Sequence, residues 1–128
     1  MPKRAIIPGE MQPYYESWRM SPGLEHDGVV YLTGMTGTVK GVVSPDPETQ
    51  MREAFRKVGL VLDEAGIGFG DILEMTTYHV GLRAHLDLFK AIRAEHVVEP
   101  YPAWTAIEVS GFATEGVIVE IRVIAKRP

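Results

Sequence analysis

The chain has 128 residues, 45% of them hydrophobic and 23% charged, which is the balance of an ordinary globular domain. Folding a chain of this length buries about two thirds of its unfolded surface, enough for one core. Because cysteine is absent, disulfides, thiolate nucleophiles and cysteine-based metal sites are excluded. No apolar stretch approaches the roughly 20 residues that span a bilayer, and the N-terminus lacks the features of a signal peptide. We therefore predict one cytoplasmic domain with no membrane partner.

The charged residues argue against two further classes of protein. A net charge of −4, with the 13 basic residues scattered along the chain, disfavours nucleic-acid binding. His85 and His96 are eleven residues apart, which is roughly 16 Å along a helix and too far to share a metal ion. His26 and His79 have no neighbour at a metal-ligand spacing. We expect no metal, no other cofactor and no nucleic-acid partner.

In chain order, the first predicted elements are short. Lys3–Ile7 predicts an edge strand that ends at Pro8-Gly9. Met11–Asp27 is rich in aromatic and turn-forming residues, and we predict an irregular segment that packs on a surface or lines a pocket. Val29–Thr33 predicts a strand because its residues are β-branched and aromatic.

The clearest predicted helix spans Pro47–Ala65. Asp46 is suited to cap its N-terminus, Pro47 to its first turn and Gly66 to the left-handed position after its end. Its apolar residues fall at helical spacing and form one stripe, which predicts a buried face against a sheet. These residues are Met51, Ala54, Phe55, Val58, Leu62 and Ala65.

The C-terminal half of the chain completes the predicted fold. A strand over Glu74–Val80 and a helix over Ala84–His96 precede two strands, Trp104–Ser110 and Val117–Ala125. The element order indicates an α+β fold, in which a mixed sheet carries two helices on one face.

The last strand has two different faces. Its odd-numbered residues from Val117 to Ala125 are apolar and predict the face under the helices. The opposite face carries Ile118 and Ile124 on either side of a charged pair. Because the two predicted helices pack on the first face, no predicted element covers the second. Another copy of the chain would cover it. The alternative is an ordinary exposed face with two stray isoleucines.

Several segments, taken in order, resemble the YjgF/RidA family of reactive intermediate deaminases. They are Pro13-Tyr14, the strand ending in Thr33-Gly34, Gln50, Glu64-Ala65-Gly66 with Gly70-Asp71-Ile72 and Thr76-Thr77, Pro102–Val109, and Val119–Ala125. The resemblance implies a chorismate-mutase-like fold and a trimeric barrel with ligand clefts between subunits. It also implies hydrolysis of reactive enamines and imines, such as 2-aminoacrylate, to a keto acid and ammonia.

The resemblance assigns roles to individual residues. Glu120 matches the family's catalytic glutamate, and Tyr14, Gly34 and Thr105 match positions expected to line the cleft. Trp104 stands beside Glu120 in this reading, at the position of the family's substrate-binding arginine. An indole offers one donor and no charge, so it cannot clasp a carboxylate in the same way.

The missing arginine leaves the ligand and the function open. Arg19 or Arg122 would supply a replacement cation, or the cleft would take a less anionic or more aromatic ligand. The retained Glu120 favours a deaminase, whereas Trp104 favours a trimer of the same fold that binds a ligand without catalysis. A ribonuclease-like or partner-binding role is a third alternative, which the acidic net charge disfavours.

Overall fold

A computed structural model describes residues 2–128 as one mixed seven-stranded sheet with three α-helices. The strands are β1 (Arg4–Ile6), β2 (Gly23–His26), β3 (Val29–Leu32), β4 (Met35–Thr36), β5 (Ile72–His79), β6 (Ala103–Glu108) and β7 (Val119–Lys126). The helices are α1 (Gln12–Ser17), α2 (Pro47–Ala65) and α3 (Leu82–Ala94). No helix in this part of the chain is long and apolar enough to cross a membrane.

The sheet has the strand order β1-β2-β3-β7-β5-β6, and β4 pairs with β7 in line with β3. Only β5 and β6 run parallel; the other pairs are antiparallel. The predicted α+β class and mixed sheet are therefore confirmed. Strand β7 lies at the centre of the sheet, so its residues contact the most neighbours.

Helix α2 begins and ends where the sequence predicts. The Asp46 carboxylate accepts a hydrogen bond from Thr49 N at 3.1 Å, which satisfies one of the free N–H groups of the first turn. Gly66 ends the helix with φ of 76°, a left-handed conformation that glycine adopts without steric cost. Its predicted apolar stripe is buried.

The core lies between the two long helices and one face of the sheet, which we call the inner face. Phe55 of α2 stacks on Phe89 of α3 with ring centroids 5.7 Å apart. Val119, Ile121 and Val123 of β7 are fully buried beneath them. The predicted alternation of β7 is confirmed, and its other face is the outer face of the sheet.

The prediction that Met11–Asp27 is irregular is wrong in part. The segment contains α1 and β2, so the chain has three α-helices where two were predicted. Helix α1 has only six residues, too few for a helical period to be visible in the sequence. Strand β2 is four residues long and is held on both sides by β1 and β3, so its pairing comes from the tertiary structure.

A β-bulge separates β3 from β4. Tyr31 pairs with Ile124 and Met35 with Ile121, so the register shifts by one residue between the two strands. Thr33 and Gly34 together lie opposite Arg122 as a result. The extra residue bends the chain away from β7 and exposes the backbone there. This bulge forms one wall of a cavity.

Candidate functional site

A cavity of about 550 Å³ opens beside the bulge. Helix α1, the bulge, the segment after β4 and the loop before β7 form its walls, and one residue of α2 reaches it from the core side. The cavity brings together Tyr14, Gly34 and Glu120, three of the residues that the sequence predicts for the site. Their proximity is a property of one chain and needs no second copy.

Glu120 is an acidic residue of the cavity whose pKa is raised by its environment. It pairs with Thr36 and Tyr78 in the middle of the sheet and is half-buried on the outer face. Burial disfavours the charged carboxylate and raises the pKa of Glu120, while the positive charge of Arg122 opposes the shift. No donor within residues 2–128 forms a hydrogen bond or ion pair with its carboxyl group.

Gly34 sets the position of that carboxyl group. A Cβ atom at residue 34 would lie 2.5 Å from both the Cδ and the Oε2 of Glu120. Real Cβ atoms do not make nonbonded contacts this short, so the Glu120 carboxyl can keep its position beside the bulge only while residue 34 is glycine. The bulge and the glycine therefore act together to aim Glu120 into the cavity.

Lys57 reaches the cavity from the core side of α2. Its side chain is 2% exposed, and its ammonium donates hydrogen bonds to Thr38 O at 2.8 Å and to the Tyr14 hydroxyl oxygen at 3.1 Å. Lys57 was not among the site residues predicted from the sequence. The available signal was its position seven residues after Gln50, on the same flank of the apolar stripe, where both polar side chains are buried.

Gln50 holds the loops that surround the cavity. Its amide nitrogen donates to Ser44 O at 2.7 Å and Gly116 O at 2.9 Å, and its oxygen accepts from Ile118 N at 2.9 Å. The side chain is 2% exposed and satisfies three backbone groups of two separate loops. Gln50 thereby fixes the loop before β7 against the start of α2.

Arg19 and Arg122 line a different groove. It has a volume of about 810 Å³, lies on the outer face and also contains Lys3, Tyr15 and Tyr31. Thr33 lines both the groove and the cavity, so the two are adjacent. The structure does not bring Arg19 or Arg122 into the cavity of Glu120, where the sequence predicted a replacement cation.

Within a single chain, Trp104 and Glu120, which the sequence predicts side by side, lie on opposite faces of the sheet. Trp104 pairs with Met75, which is buried on the inner face, whereas Glu120 lies on the outer face. The indole nitrogen donates to Thr77 Oγ1 at 2.9 Å, and the Arg93 guanidinium stacks over the ring at 4.0 Å from its centroid. Strand register decides the face, and a motif read along one strand does not reveal it.

Thr105 also lies outside the cavity. It is exposed on the outer face of β6, opposite Thr76 of β5. Because β6 is the last strand of the sheet, one edge of this strand is unpaired within residues 2–128. Neither Thr105 nor Trp104 contributes to the cavity of Glu120 in the same chain.

The histidines form a pair that sequence spacing did not predict. The rings of His79 and His85 are 5.6 Å apart, and the His79 Nδ1 and His85 Nε2 atoms are buried without a hydrogen-bond partner. The hydroxyl oxygen of Thr77 lies 2.7 Å from the His79 Nε2 atom. Across residues 2–128, no group of three or more His, Asp or Glu side chains is placed to hold a metal ion.

Comparisons with known proteins agree on one family. The sequence profile described as Endoribonuclease L-PSP matches residues 13–127. The chain is 30% identical to the RutC family protein YjgH of Escherichia coli K12, over 98% of this chain and 96% of that protein.

Solved structures give the same result. A structure of protein YjgH is 29% identical and matches with a TM-score of 0.90, covering 100% of this chain and 98% of that one. The structure of YyfA from Yersinia pestis, a member of the conserved Rid protein family, is 25% identical with a TM-score of 0.82, covering 98% of this chain and all of that one. The chain therefore belongs to the YjgF/RidA family, whose sequence profile carries the description Endoribonuclease L-PSP.

Proposed function

We propose that the protein hydrolyses small imines and enamines to carbonyl compounds and ammonia in the cavity of Glu120. The observation that carries the proposal is the half-buried Glu120 carboxyl, which has no hydrogen-bond or ion-pair partner among residues 2–128 and lies in a cavity large enough for a small metabolite. Pockets of this kind, with few polar groups converging on one titratable group, are typical of ligand sites.

The chemistry requires one group that moves protons. Glu120 takes a proton from a water molecule as the water oxygen bonds to the carbon of the C=N group, and it passes this proton to the nitrogen. It then takes the proton of the new hydroxyl group and passes it to the nitrogen as the carbon–nitrogen bond breaks and the C=O bond forms. The balance is C=N plus water giving C=O plus ammonia. Burial raises the pKa of Glu120 toward neutral pH. A group whose pKa lies near the working pH accepts and donates protons most effectively.

Membership of the family supports a homotrimer with the ligand near the subunit interface, as part of the same proposal. The outer face of the sheet carries apolar side chains that the chain does not cover, among them Ile107 at 41% exposure and Tyr31 at 40%. A neighbouring copy packed on this face would cover them.

The proposal is tested by the release of ammonia from 2-iminopropanoate generated in the assay. The wild-type protein should accelerate hydrolysis over the buffer reaction, and Glu120→Gln should remove the acceleration because an amide cannot exchange the proton. Glu64→Gln, an exposed residue of α2, is the matched control and should retain full turnover.

A second candidate, a trimer that binds a ligand without turning it over, is favoured by Trp104 at the family's arginine position. In that case the wild-type protein would bind a keto acid but leave the rate of imine hydrolysis at the buffer value. Equal turnover by wild type and Glu120→Gln would also rule out Glu120 as the catalytic residue.

A further inference from the structure

We propose that Lys57 is the anion anchor of the Glu120 cavity and selects ligands that carry a carboxylate. This inference deepens the proposed function and rests on it for the identity of the site. Lys57 would thereby supply, from α2, the positive charge that the tryptophan at position 104 cannot supply.

The charge of the Lys57 ammonium is not balanced by a nearby carboxylate of residues 2–128. Its side chain is 98% buried, yet no carboxylate of residues 2–128 lies within salt-bridge distance of its ammonium. The charge of Lys57 acts on Glu10, whose carboxylate is already held by the Arg56 guanidinium at 2.7 and 3.2 Å. A buried charge without a counter-ion is costly, and an anionic ligand in the cavity would relieve that cost.

The Lys57 ammonium has an unused hydrogen-bond donor. It carries three N–H groups, and residues 2–128 accept two of them, through Thr38 O and the Tyr14 hydroxyl. One N–H therefore remains for a ligand. Because the Tyr14 oxygen accepts from Lys57, its own hydrogen points elsewhere and is free to donate. Lys57 and Tyr14 together present two donors, which matches the two oxygens of a carboxylate.

The other cations considered for this role either lie outside the cavity or are exposed to water. Arg19 and Arg122 line the adjacent groove, and Arg93 stacks on Trp104 on the inner face. Lys40 lines the cavity but is exposed, so water screens its charge. Lys57 is the buried cation of the cavity among residues 2–128.

The experiment compares two probes that differ in one charge, 2-oxobutanoate and 2-oxobutanamide. We expect calorimetry to show that wild type binds the carboxylate at least tenfold more tightly than the amide, the range of a charge-assisted hydrogen bond. Lys57→Met keeps the length and apolar stem of the side chain and should reduce the preference to roughly twofold or less. Lys57→Gln, which keeps hydrogen-bonding capacity without charge, should do the same.

Matched controls separate a buried contact from general surface charge. Lys90→Met removes an exposed lysine of α3 that lines neither the cavity nor the groove, and it should keep the preference for the carboxylate. Raising the salt concentration should also change the wild-type preference little, because buried charges are screened least. A preference that survives Lys57→Met and Lys57→Gln but is lost in Arg19→Met or Arg122→Met would overturn the proposal.

A measurement on the unaltered protein guards against variants that fail to fold. In protein labelled with ¹⁵N-lysine, the Lys57 Nζ resonance should shift on addition of 2-oxobutanoate and not of the amide. An unchanged Lys57 resonance at saturating 2-oxobutanoate would contradict the anchor role.

The anchor and the proposed function can fail separately. If carboxylate preference depends on Lys57 while wild type does not accelerate imine hydrolysis, the anchor stands and the hydrolase proposal fails. If Glu120→Gln removes turnover while both Lys57 variants keep the preference, the hydrolase proposal stands and the anchor fails.

Discussion

The position of the Glu120 carboxyl depends on a missing side chain at residue 34. Gly34→Ala would place a methyl group 2.5 Å from the Glu120 Cδ, so the carboxyl group must move. Because a displacement of about 1 Å in a reacting group can cost 100-fold, we expect turnover of 2-iminopropanoate to fall roughly 10- to 100-fold. Steady-state ammonia release measures the effect.

Gly68→Ala is the control for this substitution, because a Cβ atom at residue 68 would meet nothing within 4 Å. It should leave turnover unchanged. If Gly34→Ala retained wild-type turnover, the close contact with Glu120 would have no role in catalysis.

His79 makes the stability of the fold depend on pH. Burial, followed by the charge of His85, lowers the pKa of His79 to about 4, against an ordinary value near 6.5. The native state therefore keeps His79 neutral while the unfolded state takes up a proton below pH 6.5. The free energy of unfolding should fall as the pH drops from about 6.5 to 4, by at most about 3 kcal/mol from this residue.

Urea denaturation at pH 7 and pH 4.5 measures the loss. His85 and His96 also have pKa values lowered mainly by burial and contribute with the same sign, so the His79 share must come from a variant. His79→Gln should weaken the dependence on pH. An equally steep dependence in wild type and His79→Gln would assign the effect to other groups.

At the scale of single residues, the sequence predicted which residues line the site better than it predicted which residues contact one another. Glu120, Tyr14 and Gly34 were predicted from family motifs and lie around one cavity. Trp104 was expected beside Glu120, and within one chain it lies on the other face of the sheet, because its face depends on the register of β6 against β5. Lys57 was missed because a lysine on the flank of an amphipathic helix usually points to water.

Among the elements, those with their own local signals were predicted best. Helix α2 was predicted to the residue, because Asp46, Pro47 and Gly66 mark its ends and a helical period fills the interval. Helix α1 and strand β2 were not predicted, because a six-residue helix and a four-residue strand depend on what packs against them.

Gln50 connects α2 to the two loops beside the cavity, and its loss should loosen all three. Gln50→Leu would leave Ser44 O, Gly116 O and Ile118 N without a partner, and we expect the free energy of unfolding to fall by about 2 to 4 kcal/mol. Urea denaturation measures the change. Gln12→Leu, at an exposed position, should cost less than about 0.5 kcal/mol. Equal losses in the two variants would refute the clamp role of Gln50.

For the whole molecule, the uncovered outer face predicts self-association. Light scattering should give about 43 kDa, three times the chain mass of 14.2 kDa. Ile107→Lys should shift the protein toward smaller species, because it buries a charge in the expected interface. Val42→Lys, at a residue 69% exposed and away from the strands of the sheet, is the control and should keep the wild-type mass. A wild-type mass of one chain at all concentrations would contradict the trimer.

The α+β class and most elements follow from the sequence because hydrophobic period and capping are local properties. The site follows only in part. Residues far apart in sequence come together around the cavity beside the bulge of β3 and β4. No local pattern in the sequence reveals that Lys57 contacts Tyr14 and Thr38 in that cavity.

A crystal structure of the wild-type protein with 2-oxobutanoate tests most directly whether Glu120 and Lys57 form one site. We predict the ligand in the 550 Å³ cavity, with its carboxylate within hydrogen-bond distance of the Lys57 ammonium and its keto carbon facing the Glu120 carboxyl group. A ligand bound instead in the groove of Lys3, Arg19 and Arg122 would contradict this account. So would a ligand in the cavity with its carboxylate turned away from Lys57.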